Sequence, residues 1–185
     1  MYVCEDLKLI VTTKPGKEKV VENQVGDSIY LNDPGIKIIH TRFSGVLLIY
    51  TKLNPWKAFW LVNTYPIHGA SRIIPVECCS HSRISEVIEC VKRLLSKGRE
   101  YEGKIGVEIT IRGNFINKNE LKNSIYRVIR ELGLKIVFKN VKYELKVEVI
   151  DNIVGVSVMP WRMDRVSRRI KEWIKRLGIS NSTPF

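Results

Sequence analysis

No stretch of this 185-residue chain approaches the roughly 20 consecutive apolar residues that a membrane-spanning helix needs. The opening Met1-Tyr2-Val3-Cys4-Glu5-Asp6 turns polar and acidic too early for a secretory signal, so a cytoplasmic protein is expected. Cysteine is scarce. Cys78 and Cys79 are adjacent, while Cys4 and Cys90 stand alone. In a reducing compartment all four are expected as free thiols, with one or both of Cys78 and Cys79 packed between domains. Structural zinc sites pair ligands at spacings such as C-x2-C and then repeat them. Cys78-Cys79-Ser80-His81 has adjacent ligands and no second cluster, so no metal is assigned. His40, His68 and His81 have no evident partners. Gly16-Lys17 follows a strand pattern, but the full G-x4-G-K-[ST] is missing, as is any glycine-rich cofactor loop. No acidic pair, Ser/His/Asp set or Cys/His pair falls at an informative spacing. Neither a catalytic residue nor a cofactor is expected, and the chain is expected not to be an enzyme.

Charge of one sign is abundant. The net charge is +12, with 31 Lys and Arg against 19 Asp and Glu. The excess is uneven: residues 1–98 carry a net of +4 and residues 99–185 a net of +8. Such a surplus favours a polyanionic partner, and its bias points to the second half of the chain. Apolar residues at 44% are enough for a packed core.

Patterning divides the chain in two. Leu7–Thr13 alternates as a strand and is broken at Pro15-Gly16. Val20, Val21, Gln24 and Val25 suit a short helix running toward Tyr30. Residues 36–41 and 46–51 form a hairpin around Ser44-Gly45. Asn54-Pro55 opens a helix that Tyr65-Pro66 ends. Ser71–Glu77 is a fourth strand. The order β-α-β-β-α-β is the ferredoxin-like pattern. A helix capped by Ser82 or Ser85 carries Ile84 to Leu95 and stops at Gly98. Strand 107–111, a helix opened by Asn117 and Glu120, and strands 135–138, 143–150 and 153–159 follow, with Asp151-Asn152 as a tight turn. Trp161–Leu177 has the period of an amphipathic helix, followed by a loose tail.

Four stretches resemble the THUMP-domain proteins of tRNA modification. They are Thr12-Thr13-Lys14-Pro15-Gly16-Lys17-Glu18, Ser71-Arg72-Ile73-Ile74-Pro75-Val76-Glu77, Ile111-Arg112-Gly113-Asn114 and Gly155-Val156-Ser157-Val158-Met159-Pro160. The resemblance implies an α+β chain: an N-terminal ferredoxin-like domain at 1–79, a THUMP domain at 80–160, and a basic C-terminal helix and tail at 161–185. In that family the pair of domains grips tRNA near its acceptor arm. Most relatives fuse it to a methyltransferase, a 4-thiouridine synthetase or a pseudouridine synthase. A chain ending one helix after the THUMP domain resembles the stand-alone type, an adaptor presenting tRNA to a separate cytidine acetyltransferase. Two other readings stay open: the RNA-binding half of a split thiolation or methylation enzyme, and a small enzyme on a ferredoxin-like fold.

Candidate RNA contacts follow from the charge. At about 100° per residue, Arg162, Arg165, Arg169 and Arg176 fall on one flank of a helix whose apolar stripe is Val166, Ile170, Trp173, Ile174 and Leu177. Guanidinium forks in a row suit phosphate oxygens. The bland alternative is a solvated helix face, and a membrane-surface helix also competes. Arg112 and Asn114 join a strand to a helix N-terminus, where free N–H groups attract phosphate. Phe115 is either a stacking platform for an unpaired base or a hydrophobic staple to the helix. Lys118, Lys122 and Arg130 line the polar side of that helix as backbone contacts.

Overall fold

Runs of β-branched and apolar residues between turn signals become the strands. The computed structural model describes residues 2–65, 67–97, 101–139 and 141–166. The first half is β1 (Leu7–Thr13), α1 (Glu18–Tyr30), β2 (Lys37–His40), β3 (Val46–Tyr50), α2 (Pro55–Thr64) and β4 (Ala70–Pro75). These strands form an antiparallel sheet in the order β2-β3-β1-β4. Asn54 caps α2 by accepting from the Lys57 N–H at 2.7 Å, with Pro55 at the first helical position. Val21, Val25, Ile29, Phe59 and Val62 bury one face of the two helices against Leu9, Val11, Leu47 and Ile49. Each such side chain contributes about 1.5–3 kcal/mol relative to exposure.

The second half is β5 (Cys78–His81), α3 (Ile84–Leu95), β6 (Lys104–Arg112), α4 (Lys118–Glu131), β7 (Lys135–Ile136), β8 (Tyr143–Ile150) and β9 (Ile153–Pro160). Its sheet runs β5-β9-β8-β6-β7. β6 lies parallel to both β8 and β7, and α4 makes the crossover that parallel pairing requires. Asn117 caps α4, accepting from Asn119 and Glu120 N–H at 3.0 and 3.1 Å. The expected serine cap of α3 is not used. Ser82 donates to the Asp151 carbonyl, Arg83 precedes the helix, and Glu86 takes the His81 N–H at 3.0 Å. With two sheets and four helices among the described residues, the class is α+β.

The sheets pack on each other through the faces their helices leave open. Ile10, Leu48, Ile74 and Val76 meet Ile150 and Ile153 there. A Cβ at Gly155 would lie 2.7 Å from the Ile10 methyl and 3.1 Å from a Val76 methyl, so a larger residue there requires those side chains to shift. The chain passes between sheets at Val76-Glu77. The Glu77 N–H donates to Val156 O at 3.0 Å and its carboxylate accepts the Val158 N–H at 2.8 Å. Cys78–His81 then pairs with β9, two residues ahead of the boundary read from sequence.

The thiol expectation is corrected by geometry. Neighbouring side chains on a strand point to opposite faces. Cys78 faces α3 and is disulfide-bonded to Cys90, while Cys79 faces the N-terminal arm and is bonded to Cys4. The Cα separations, 5.7 and 5.4 Å, are ordinary for a disulfide. The expectation of free thiols rested on compartment alone. His81 is turned to Glu86, 3.2 Å away, so Cys78, Cys79 and His81 do not converge.

The C-terminal helix is corrected in part. Trp161–Asp164 form a turn, Arg165 makes an antiparallel bridge with Arg72, and Arg162 has φ +60°, which no α-helix tolerates. Arg169, Arg176 and the remainder of the expected helix lie outside the described residues. None of the described helices is long and apolar enough to cross a membrane.

Candidate functional site

Alternation on β6 and β8 sends one set of side chains to the helices and the other to the opposite face. Leu145, Val147 and Val149 join the core under α3 and α4. Glu144, Lys146 and Glu148 point the other way, as do Glu108, Thr110 and Arg112 of β6. An alternating strand is ordinarily read as half solvated. Here the polar half is covered by the edge of β4 and by residues 160–166, so Lys146, Glu148 and Asp164 are fully buried.

Burial requires pairing, and the pairing is extensive. Lys146 Nζ lies 2.5 Å from Glu108, 2.9 Å from Glu144 and 3.1 Å from Asp164. The Arg72 guanidinium reaches Asp164 at 2.5 Å, Glu148 at 2.9 Å and Glu108 at 3.4 Å. Arg112 adds 2.8 Å to Glu148, whose other oxygen accepts from Thr110 at 3.0 Å. Burial pulls the Lys146 ammonium down, but Asp164, Glu108 and Glu144 outweigh it and hold it above its usual value. Burial alone would raise Asp164; the charges of Lys146 and Arg72 reverse this and hold its carboxyl below the usual range. Arg72 is likewise raised, because Glu148, Asp164 and Glu108 overcome its burial.

This face organises a surface at one end of the sheet. A groove of about 160 Å³ is lined by Gly106, Phe138, Glu144, Trp161, Arg162 and Arg165. Both arginines and Phe138 are exposed. The Arg162 guanidinium sits 4.6 Å from the Trp161 ring centre, a cation–π arrangement. A positive φ costs a non-glycine residue about 1–2 kcal/mol. Arg162 is held there by its N–H, donated to the Glu144 carboxylate.

The candidate residues do not form one patch. Arg112, Asn114 and Lys118 gather where β6 ends and α4 begins. Gly113 joins them at φ +100°, with Asp151 so near that a Cβ would meet its carboxylate at 2.7 Å. Arg42 reaches the same corner, bonding Asp151 at 2.5 Å. The Arg162–Arg165 turn lies at the opposite end, beside Gly106 and Glu144. The register Gly106↔Glu144 to Arg112↔Ile150 spans six residues, about 20 Å. Lys122 and Arg130 are exposed on α4, Lys122 standing over the Tyr126 ring at 5.4 Å. Arg112 is not a free fork: it is only 23% exposed and is paired to Glu148. Phe115 is 57% exposed, and it is Ile116 that packs against the core, so the staple reading falls to the neighbouring residue.

Sequence reasoning missed Arg72, Lys146, Glu148 and Asp164. Arg72 fell within a motif of the resemblance, but nothing local identifies its partners, 36 to 92 residues away. A second cavity of about 320 Å³, between the β1–α1 and β2–β3 turns, includes His40 and Ser44. There Ser44 donates to Glu18 at 3.1 Å and His40 pairs with Glu22 at 2.9 Å, which assembles no nucleophile with its base.

No family model and no curated protein matches the sequence. Solved structures do match in fold. PH1313 from Pyrococcus horikoshii Ot3 superposes with a TM-score of 0.66 at 16% identity, over 84% of this chain and 56% of that one. TrmN from Thermus thermophilus gives 0.61 at 16%, over 92% and 50%. A 4-thiouridine synthetase, solved with RNA and bound ATP, gives 0.57 at 15%, over 83% and 42%. The chain spans about half the length of these structures. What the likeness establishes is the fold, which this chain shares with these three structures.

Proposed function

We propose that this chain is a tRNA-binding adaptor that presents tRNA to a separate modification enzyme, a cytidine acetyltransferase in the reading the sequence resemblance implies. The observation that carries the proposal is the pair of exposed arginines, Arg162 and Arg165, fixed beside Trp161 and Phe138 on a chain of net charge +12. Arginine forks neutralise phosphates and release counterions, while aromatic faces accept unpaired bases. The Arg112–Asn114–Lys118 corner, about 20 Å away, and Lys122 and Arg130 on α4 offer further contacts. That spread suits a macromolecular polyanion better than a free nucleotide. The fold's recurrence in a synthetase solved with RNA supports the same reading. The chemistry is assigned to the partner.

A second reading is the RNA-binding half of a split thiolation or methylation enzyme. It is favoured by the chain's match to 42% of the 4-thiouridine synthetase.

The test is tRNA binding as a function of salt. With about six phosphates engaged, the log–log slope is expected at about −4 to −5. No binding at low salt, or a flat dependence, overturns the RNA reading. The isolated chain is expected to leave tRNA unmodified with acetyl-CoA, S-adenosylmethionine, or ATP and sulfide. Turnover by clean protein overturns the adaptor.

A further inference from the structure

We infer that Asp164 is a positioning residue, which orients Arg162 and Arg165 toward the anion they bind. The inference rests on the reading of those two arginines as phosphate-binding groups. The turn that carries them is pinned on both sides. The Trp161 N–H donates to Lys142 O at 3.1 Å, and the Arg162 N–H donates to the Glu144 carboxylate, both on the second sheet's side. The Asp164 carbonyl accepts the Ile73 N–H at 2.9 Å from the first sheet. Between the two arginines the Asp164 side chain turns inward and is fully buried. One of its oxygens meets Arg72 of β4 at 2.5 Å, the other Lys146 of β8 at 3.1 Å.

Those cations are themselves fixed. Arg72 is tied to Glu148 and Glu108, and Lys146 to Glu108 and Glu144. A buried apolar side chain would hold the segment at least as firmly as a buried ion pair. What the charges add is direction. Its two oxygens face two cations on different sheets, one hydrogen-bonded to Arg72 and the other drawn to Lys146 by charge, and one rotation of the turn places both. That rotation holds Arg162 at φ +60° over Trp161 and sends both guanidinium groups outward.

The inference opposes simple electrostatics, and this makes it testable. Removing a carboxylate beside an anion site strengthens anion binding if charge alone matters. Positioning predicts the reverse. The experiment measures binding of a fluorescein-labelled tRNA transcript between 50 and 300 mM salt, with folding followed by circular dichroism. Each phosphate that the protein ceases to neutralise flattens the slope by about 0.7–0.9, so R162Q/R165Q is expected to flatten it by about 1.4–1.8. Asp164→Asn alone is expected to flatten it by a similar amount and to weaken binding. The triple variant is expected to lose no more than R162Q/R165Q. Should Asp164→Asn not fold at the assay temperature, Asp164→Glu takes its place. It keeps the charge, displaces the turn by one methylene, and is expected to flatten the slope likewise. A wild-type slope or tighter binding in the folded Asp164 variant, or losses that add in the triple variant, overturns the inference alone. An unchanged slope in R162Q/R165Q overturns the phosphate reading and the inference with it.

Discussion

On β8, Leu145 and Lys146 are neighbours, equally hidden from water, and held by opposite means. Leu145 lies in the apolar layer under α3 and α4; Lys146 lies among Glu108, Glu144 and Asp164 on the face behind. The apolar layer tolerates change in proportion to volume, because dispersion and the hydrophobic effect are not directional. The charged layer is directional and depends on its stoichiometry: each buried ion is tolerable only while its partners remain. The first face therefore supplies bulk stability, and the second fixes how residues 160–166 join the two sheets.

The two faces differ most when one position on each is emptied. Lys146→Met keeps volume and removes the ammonium, leaving Glu108, Glu144 and Asp164 short of a cation. A loss of about 3–5 kcal/mol is expected, the cost of breaking a buried pair. For a chain of this size that lowers the melting temperature by about 10 °C. Leu145→Ala is expected to cost about 2–5 kcal/mol. The discriminating measurement is the rescue. Adding Asp164→Asn to Lys146→Met is expected to recover stability, whereas the same change added to Leu145→Ala is expected to deepen the loss. Equal behaviour on both backgrounds would erase the distinction between the faces.

The two disulfides test the comparison at the sheet edge, because β5 sends one to each face. Cys78–Cys90 spans 12 residues on the helix side, and Cys4–Cys79 spans 75 on the other. Chain-entropy arithmetic gives about 3 kcal/mol for the shorter loop and about 4 for the longer. Cys4→Ser is thus expected to lower the melting temperature more than Cys90→Ser, and a reductant is expected to remove both contributions. A wild-type melting curve unaffected by reductant would show that the pairs contribute nothing.

Acid and alkali separate the faces by shape rather than size. The Asp164 pKa is lowered on folding, so its stabilisation is full above the unfolded value of about 3.9 and is lost as pH falls through the lower folded value. The Lys146 pKa is raised, so its stabilisation is full below about 10.4 and is lost as pH rises through the higher folded value. Melting temperature against pH is expected to show a plateau with an acid limb and an alkaline limb. Asp164→Asn is expected to soften the acid limb and Lys146→Met the alkaline one. Leu145→Ala is expected to lower the whole curve without changing its form.

What was legible in the sequence follows the same division. Period-2 runs at 107–111 and 143–150 announce strands because alternation is local, and Asn54-Pro55 and Asn117 announce helix starts because a cap is local. The burial of the polar face is not local. It depends on Arg72 meeting Asp164 across 92 positions and on β4 lying beside residues 160–166. The cysteine pairs were missed for the same reason: the adjacent cysteines gain their meaning only once β5 is known to be a strand. The 3.6-residue pattern predicts a helix from Trp161, but the bond from Arg162 to Glu144 and the burial of Asp164 overrule it at residues 161–165. Of the candidate site, the Arg112–Asn114–Lys118 corner was legible because those residues are nearly contiguous. The groove beside Phe138 and Trp161 was not.

The smallest expected effect concerns that corner, where Arg112 and Lys118 share a location and differ in attachment. Arg112 pairs with the fully buried Glu148; Lys118 is exposed at the first turn of α4. Arg112→Gln removes one of the two arginines on Glu148 and leaves the Thr110 hydroxyl and Arg72. A charge-assisted hydrogen bond of this kind is worth about 1.5–3 kcal/mol, so the melting temperature is expected to fall by roughly 5 °C. Its effect on the salt slope of tRNA binding is expected to stay below the 0.7–0.9 of one fully neutralised phosphate. Lys118→Gln is expected to do the opposite: stability within about 0.5 kcal/mol of wild type, and a slope flatter by up to about 0.9. Measuring each variant with intact tRNA and with tRNA trimmed of its single-stranded 3′ end locates the phosphate concerned. If Arg112→Gln leaves the melting temperature alone and weakens only the intact tRNA, then the guanidinium leaves Glu148 for the RNA. The corner would then be a recognition site in its own right rather than the far anchor of the charged face.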